Sequence, residues 1–215
     1  MKINMKWSVL PVALLAMGTL AMAQNTTSDA QNSGSTASSK PDPTIGQRKE
    51  NQQDRIANGV QSGQLTSGET SNLESKEAAI NGETRADRAA NGGKLTSAEK
   101  SQINGQQNQV SKQIYQDKHN ANTAKFANNA VGQRRENQQD RIANGIRSGQ
   151  LTAGETTKLE NQQHAITKQV STDRAANGGK LTSAEKTQVN HEQNQASRNI
   201  YKKKHNAATQ GSAKK

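Results

Sequence analysis

The sequence predicts an all-α protein of two tandem three-helix units, and three observations carry that prediction. A unit of 75 residues occurs twice, each copy holds two elements of the form Gly-x-Leu-Thr-x-x-Glu, and the apolar residues between those elements recur at helical spacing. Gly46–Asn120 aligns without a gap onto Gly132–Asn206 at an offset of 86, with 50 identities in the 75 positions. Asp87–Lys100 repeats unchanged as Asp173–Lys186, whereas all six positions of Asn81–Ala86 differ from Thr167–Thr172.

Each Gly-x-Leu-Thr-x-x-Glu element reads as the junction of two helices. Gly63 and Gly93 end one helix, because glycine takes the left-handed backbone there without a steric cost. Thr66, Thr96, Thr152 and Thr182 then cap the following helices, and Glu69, Glu99, Glu155 and Glu185 complete capping boxes three residues later. A carboxylate in the first turn also meets the positive end of the helix dipole. The helices expected in the first unit span roughly 46–60, 66–90 and 96–118. Their apolar stripe, the expected core, is Ile45, Ile56, Val60, Leu65, Leu73, Ile80, Leu95, Ile103, Val110, Ile114 and Tyr115. The remaining carboxylates are expected on polar faces. Such a core is thin against the entropy of ordering the unit. The fold is therefore expected to be marginal, or to rest on the two units packing together or on a partner.

The rest of the chain divides by composition. Lys2 and Lys6, the apolar run Trp7–Leu20 and the small-residue close Ala21-Met22-Ala23 read as a signal peptide over 1–23, with cleavage before Gln24. The run is 14 residues long and holds Pro11 and Gly18, short of the roughly 20 needed to span a bilayer. No cysteine stands at the cleavage point for a lipid anchor. Residues 24–44, rich in Ser, Thr, Asn and Gly and ending near Pro41 and Pro43, read as a disordered, flexible linker. Repeat unit 1 follows over 45–120, a connector over 121–131 with Phe126 as its one aromatic, repeat unit 2 over 132–206, and a basic tail over 207–215. The expected location is periplasmic or extracellular, with no transmembrane segment after cleavage.

Composition narrows the function. The chain has no cysteine, and Tyr115, Phe126 and Tyr201 are the aromatic residues beyond the leader. Mean hydropathy is −1.05, near the range of chains that fail to fold. Formal net charge is +11, and removal of Lys2 and Lys6 leaves +9. A basic exported protein is drawn to anionic partners, here an anionic envelope polymer or an unfolded acidic protein. Lys202, Lys203 and Lys204 are the densest basic cluster and the candidate contact for such a partner. Nucleic acid is not the expected partner, because Tyr201 alone supplies a stacking ring nearby and no groove-reading module is present.

Two families share parts of this pattern. Gly93, Leu95, Thr96 and Glu99, and likewise Gly63, Leu65, Thr66 and Glu69, resemble the second half of an EF-hand loop, and paired helix-loop-helix units are what an EF-hand domain contains. The resemblance departs where calcium would bind, since loop positions 1, 3 and 5 should carry oxygen donors. Here they are Asn58, Val60 and Ser62, then Arg88, Ala90 and Gly92, with Asn144, Ile146, Ser148, Arg174, Ala176 and Gly178 in the second copy. A shifted frame through Asp87, Asn91 and Glu99, or Asp173, Asn177 and Glu185, offers one more donor at the cost of an inserted residue. The Leu-Thr-x-x-Glu elements also resemble the Leu-Thr-x-x-Gln motif of small helical periplasmic stress chaperones of the Spy and CpxP type. Export, basic charge and absence of cysteine are shared with that family, which implies holdase activity.

No metal or cofactor is expected. His119 and His205 match between copies, while His164 and His191 stand opposite Ala78 and Gly105, and no paired metal-ligand spacing occurs. There is no cysteine nucleophile, Gly-x-Ser-x-Gly elbow or phosphate loop, so no catalytic residues are assigned. The expected function is that of an exported, non-enzymatic binding or envelope-structural protein with degenerate EF-hand-like repeats. A periplasmic holdase and a calcium-binding EF-hand protein are the alternatives.

Overall fold

A computed structural model describes residues 44–211. The expected signal peptide, residues 24–43 of the expected linker, and residues 212–215 lie outside the described residues. The described residues form six helices and no strand: α1 Ile45–Gln61, α2 Ser67–Ala90, α3 Ser97–Lys118, α4 Ala130–Arg147, α5 Ala153–Ala176 and α6 Ser183–Lys204. α1–α3 lie in the first sequence repeat and α4–α6 in the second, except that α4 starts at Ala130, two residues before the second repeat begins.

Local chemistry sets these boundaries. Thr66, Thr96, Thr152 and Thr182 each accept a hydrogen bond from the backbone N–H of Glu69, Glu99, Glu155 and Glu185, and each glutamate accepts one back from the cap residue's N–H. α1 starts on a fifth capping box, between Thr44 and Gln47, and α4 on an Asn129 cap. At the first junction Gly63 has φ +70°, and at the second both Gly92 (+60°) and Gly93 (+89°) are left-handed. The approach of Leu65 to α1 is equally demanding, because a Cβ at Gly59 would lie 2.6 Å from Leu65 Cδ1.

Packing joins equivalent elements of the two repeats. α3 packs on α1 and α2, and α6 on α4 and α5, while α2 packs most extensively on α5 and α1 on α4. Ser71 Oγ lies 3.5 Å from the carbonyl of Thr157, its own counterpart, and donates to Asn161 Oδ1 at 2.6 Å. Farther toward the α2 N-terminus, Gly68 faces His164 on the next turn of α5. The partner position thus falls as the α2 position rises, so the two helices run antiparallel. Contacts of α1 and α2 with their own copies, α4 and α5, are the signature of pseudo-twofold packing. One apolar cluster accordingly draws Ile56, Val60, Leu73, Ile103 and Ile114 together with Ile142, Leu151, Leu159 and Ile200.

Eight of the eleven core residues expected in the first repeat are buried, and Ile45 and Leu95 are half-buried and pack against the cluster from its edge; Tyr115 is the exception. It is 61% exposed, one position beyond buried Ile114, and its ring stacks on His119 with centroids 4.2 Å apart. The residues after Asn206 are docked as far as Gly211. Gln210 N donates to Gly149 O at 2.9 Å, as Ala124 N does to Gly63 O at 2.8 Å, so the 86-residue offset continues past the recognisable sequence repeat.

Gly82 and Gly105 lie inside α2 and α3, and a Cβ at either would meet nothing within 4 Å. Replacing each with Ala is expected to stabilise the fold by about 0.5–1 kcal/mol per site. Thermal denaturation of G82A, G105A and the double variant checks this, and an unchanged or lower Tm would refute it.

Candidate binding surface and its electrostatics

The polar groups divide between the core, the helix caps and two basic clefts. In the core, buried amides tie α1 to α3. Gln52 Nε2 donates to Gln107 O at 2.7 Å, and Gln107 Nε2 to Ile45 O at 2.9 Å. Gln138, Gln193 and Val131 repeat the arrangement at 2.7 and 2.9 Å.

Carboxylates are buried beside them, contrary to the expectation that all would occupy caps or polar faces. Glu74, Glu77 and Glu160 are each 0% exposed. Glu74 Oε2 accepts from Gln53 at 3.1 Å and Glu160 Oε2 from Gln139 at 3.0 Å. The other oxygens of Glu74 and Glu160, and both of Glu77, have no partner. Burial pushes the Glu74 carboxyl well above the usual range; the Gln53 hydrogen bond opposes this, and the Glu77 and Glu160 charges reinforce it. Burial raises Glu77 to about 7 against the pull of Lys49. It raises Glu160 to about 7 against hydrogen bonds from Gln139 and Ser67 and the charge of Arg135. Protonation gives each acid a donor and removes a charge from the dry interface. The signal for Glu77 is present in the sequence: Thr70, Leu73, Glu77, Ile80 and Thr84 follow the alternating three-four spacing of a helix seam.

The cap carboxylates are engaged. Glu99 Oε2 accepts from Thr96 N at 2.7 Å, and Asn91 Nδ2 donates to both Glu99 oxygens at 2.8 and 3.0 Å. Asn177 does the same to Glu185 at 2.8 and 3.0 Å. Glu69 accepts from Asn120 and Asn122 as well as Thr66, which clasps the end of α3 to the start of α2. Backbone hydrogen bonds from Thr96 and Thr182 hold Glu99 and Glu185 below the usual range. Burial alone would raise Glu69 and Glu155, but their hydrogen bonds outweigh it and hold both low.

The shifted metal frame is therefore occupied by internal bonds. Asn91 and Asn177 present their N–H₂ groups to the glutamates, and the Asp173 carboxylate accepts from Gln169 at 2.7 Å. Asp87 feels burial and the charges of Glu99 and Glu83, which raise its carboxyl. In the unshifted frame Val60 and Ile146 are core residues, and Asn58 Oδ1 accepts from Arg147 at 2.8 Å. No three His, Asp or Glu side chains converge as a metal-binding set among the described residues. His119 and His205 instead bond through Nδ1 to the carbonyls of Tyr115 and Tyr201, each at 2.7 Å.

The basic cluster at the end of α6 is divided. Lys202 is exposed, Lys203 pairs with Glu155 at 3.6 Å, and the Lys204 stem runs beside Gly145. A second concentration of cations, which sequence spacing does not reveal, lines a cleft where the ends of α1, α2 and α3 meet. Arg88, Lys94 and Lys100 rim this cleft of about 790 Å³, with Ile80 and Leu95 in its wall. Arg174, Lys180, Lys186 and Leu181 line its counterpart of about 370 Å³ in the second repeat. In that repeat the connector crowds the start of α4: Arg135 lies over the Phe126 ring at 5.4 Å, and a Cβ at Gly132 would strike the Ala127 carbonyl.

The buried acids dictate a pH dependence. Their folded pKa values stand above the ordinary 4.5, so their stabilising contribution is full below about 4.5, and that of Glu77 and Glu160 is lost as pH rises through about 7. The cap glutamates act oppositely, contributing above the usual range and failing as pH falls through their lowered values. Tm is expected to peak near pH 5 and to fall toward pH 8. E77Q, which installs the amide found at the equivalent Gln163, should raise Tm at pH 8 by several degrees, corresponding to about 3 kcal/mol at most, and flatten the dependence. A Tm that climbs from pH 5 to 8, in the wild type or the variant, would count against this account.

Calcium at millimolar concentration is expected to leave helicity and Tm where matched ionic strength leaves them, because the loop carboxylates already serve as caps. A saturable, calcium-specific rise in Tm would contradict this. Comparison of the chain with protein-family models, curated proteins and solved structures finds no match to any of them.

Proposed function

We propose that this chain is an exported, non-enzymatic binding protein of two tandem three-helix, EF-hand-like units, and that it engages an anionic partner at the cell envelope through its basic surface. The observation that carries this reading is the distribution of charge. Glu74, Glu77 and Glu160 are withdrawn into the core, and Glu69, Glu99, Glu155 and Glu185 are committed to helix caps. With the three core carboxylates withdrawn, the outer surface is more positive than 29 basic against 18 acidic residues implies. Export rests on the leader-like residues 1–23. A holdase has less support, since Tyr115 and Tyr201 are the large apolar side chains left exposed among the described residues, too little to hold an unfolded client.

Retention on an acidic polymer is expected to weaken steeply with salt, because counterion release drives such binding. Substituting Lys202, Lys203 and Lys204 with Gln should reduce the slope of log K against log salt, with Lys202 contributing most because Lys203 is already paired. Salt-independent retention would overturn the proposal.

A further inference from the structure

We propose that residues 207–211 are a pH-controlled strap, which Lys49 fastens to α1 and which loosens when the buried Glu77 ionises. The strap crosses from the second repeat to the first. Gln210 N donates to Gly149 O at 2.9 Å, Gln210 Nε2 to Gln53 Oε1 at 2.7 Å, and Lys49 Nζ to Gly211 O at 2.8 Å. Gln210 and Gly211 thereby wall a cleft of about 170 Å³, together with Asp54 of α1 and Ile146 and Arg147 of α4. Release of the strap removes that wall.

The two α1 residues that hold the strap also act on the buried acids. Gln53 Nε2 donates to Glu74 Oε2 at 3.1 Å, and Lys49 is the cation whose charge Glu77 feels. These links respond differently to ionisation. A charged Glu74 accepts from Gln53 in the same orientation, so the Gln210 side-chain bond is kept. Glu77 is 0% exposed and neither of its oxygens has a partner. Its anion lacks any hydrogen bond in place of water and draws the flexible Lys49 ammonium to itself. The bond that Lys49 gives up, to Gly211 O, is exposed, and water replaces it at small cost.

The surrounding charges favour this exchange. Of the helices packed on α2, α1 brings Lys49, and α5 brings Glu160, which acts on Glu74. From α3 comes Asp117, which acts with Glu69 and Lys76 farther toward the α2 N-terminus. Glu74 lies one turn from Glu77 on α2 itself. Lys49 is attracted by Glu77 and Glu50 and repelled by Arg85 and Arg88. Burial raises Glu77 to about 7, so the strap is fastened below that pH, where Glu77 is neutral, and loosened above it. The second repeat lacks the device, because Arg135 and Gln163 stand where the first has Lys49 and Glu77. Its equivalent of the Gln210 contact is Ala124 N, which donates to Gly63 O at 2.8 Å.

Amide hydrogen exchange of the full chain tests the assignment, with each rate divided by the intrinsic rate at the same pH. Protection of the Gln210 N–H is expected to fall about fivefold or more between pH 6 and 8. The midpoint should coincide with the Glu77 carboxyl titration followed by NMR. The Ala124 N–H should keep its protection over that range, as a control within the same molecule. Glu77→Gln should hold Gln210 at its pH 6 protection throughout. Lys49→Gln, which removes the fastening and leaves the core intact, should give the weakened value at both pH 6 and pH 8. Gln210 protection that does not change with pH, that falls equally in Glu77→Gln, or that keeps its pH dependence in Lys49→Gln would overturn the assignment. A parallel loss at Ala124 would also overturn it, because the whole fold and not the strap would then be loosening.

Discussion

The structure depends on apolar burial shared between the two repeats. Hydrophobic residues make up 29% of the chain, and each repeat offers a single narrow stripe of them. The second repeat closes part of its stripe itself, around Ile166, Val170, Val189 and Ala196, and the rest is shared with the first. α2 therefore covers α5 and α1 covers α4, and Ile56, Leu73, Ile142 and Leu159 become parts of one interior. Duplication supplies the complementary surface, because a face that packs on its own copy requires no separate partner.

Polar residues complete what the apolar stripe leaves open. Gln52, Gln107, Gln138 and Gln193 reach from one helix to the backbone of another, replacing part of the missing hydrophobic contact with directional bonds. Glu74 and Glu160 enter the seam between α2 and α5 on the same terms, each held by one glutamine. Their unpartnered oxygens are costly as anions, which makes the proton part of the packing. The interface is thus specified by hydrogen bonding and remains sensitive to pH.

The same allocation of acids shapes the outside. Carboxylates placed in the core do not offset the lysines and arginines on the surface, whereas the cap glutamate Glu155 still pairs with Lys203. At the junctions the capping box takes the glutamate that an EF-hand loop would give to an ion, and Asn91 or Asn177 binds what the cap leaves over. Where α1, α2 and α3 end together, this leaves Arg88, Lys94 and Lys100 around a cleft without a lining carboxylate among the described residues.

Residues close together in the chain already specify the all-helical class, the junctions and most core positions. These depend on chemistry within a few residues: Thr96 and Glu99 are three apart, Gly63 must turn the chain beside them, and Leu73 and Ile80 lie on one helical face. Tyr115 was misjudged because it neighbours Ile114 on the helix surface, and only the packing decides which of two adjacent positions turns inward. The burial of Glu77 was foreshadowed by its seam spacing but concealed by its charge, which argues for solvent until a facing helix removes the water. The α2–α5 pairing, the docking of Gln210 on Gly149 and the clefts were decided by tertiary structure alone. They join residues far apart in the chain, and no local spacing records which distant surface will cover a given face.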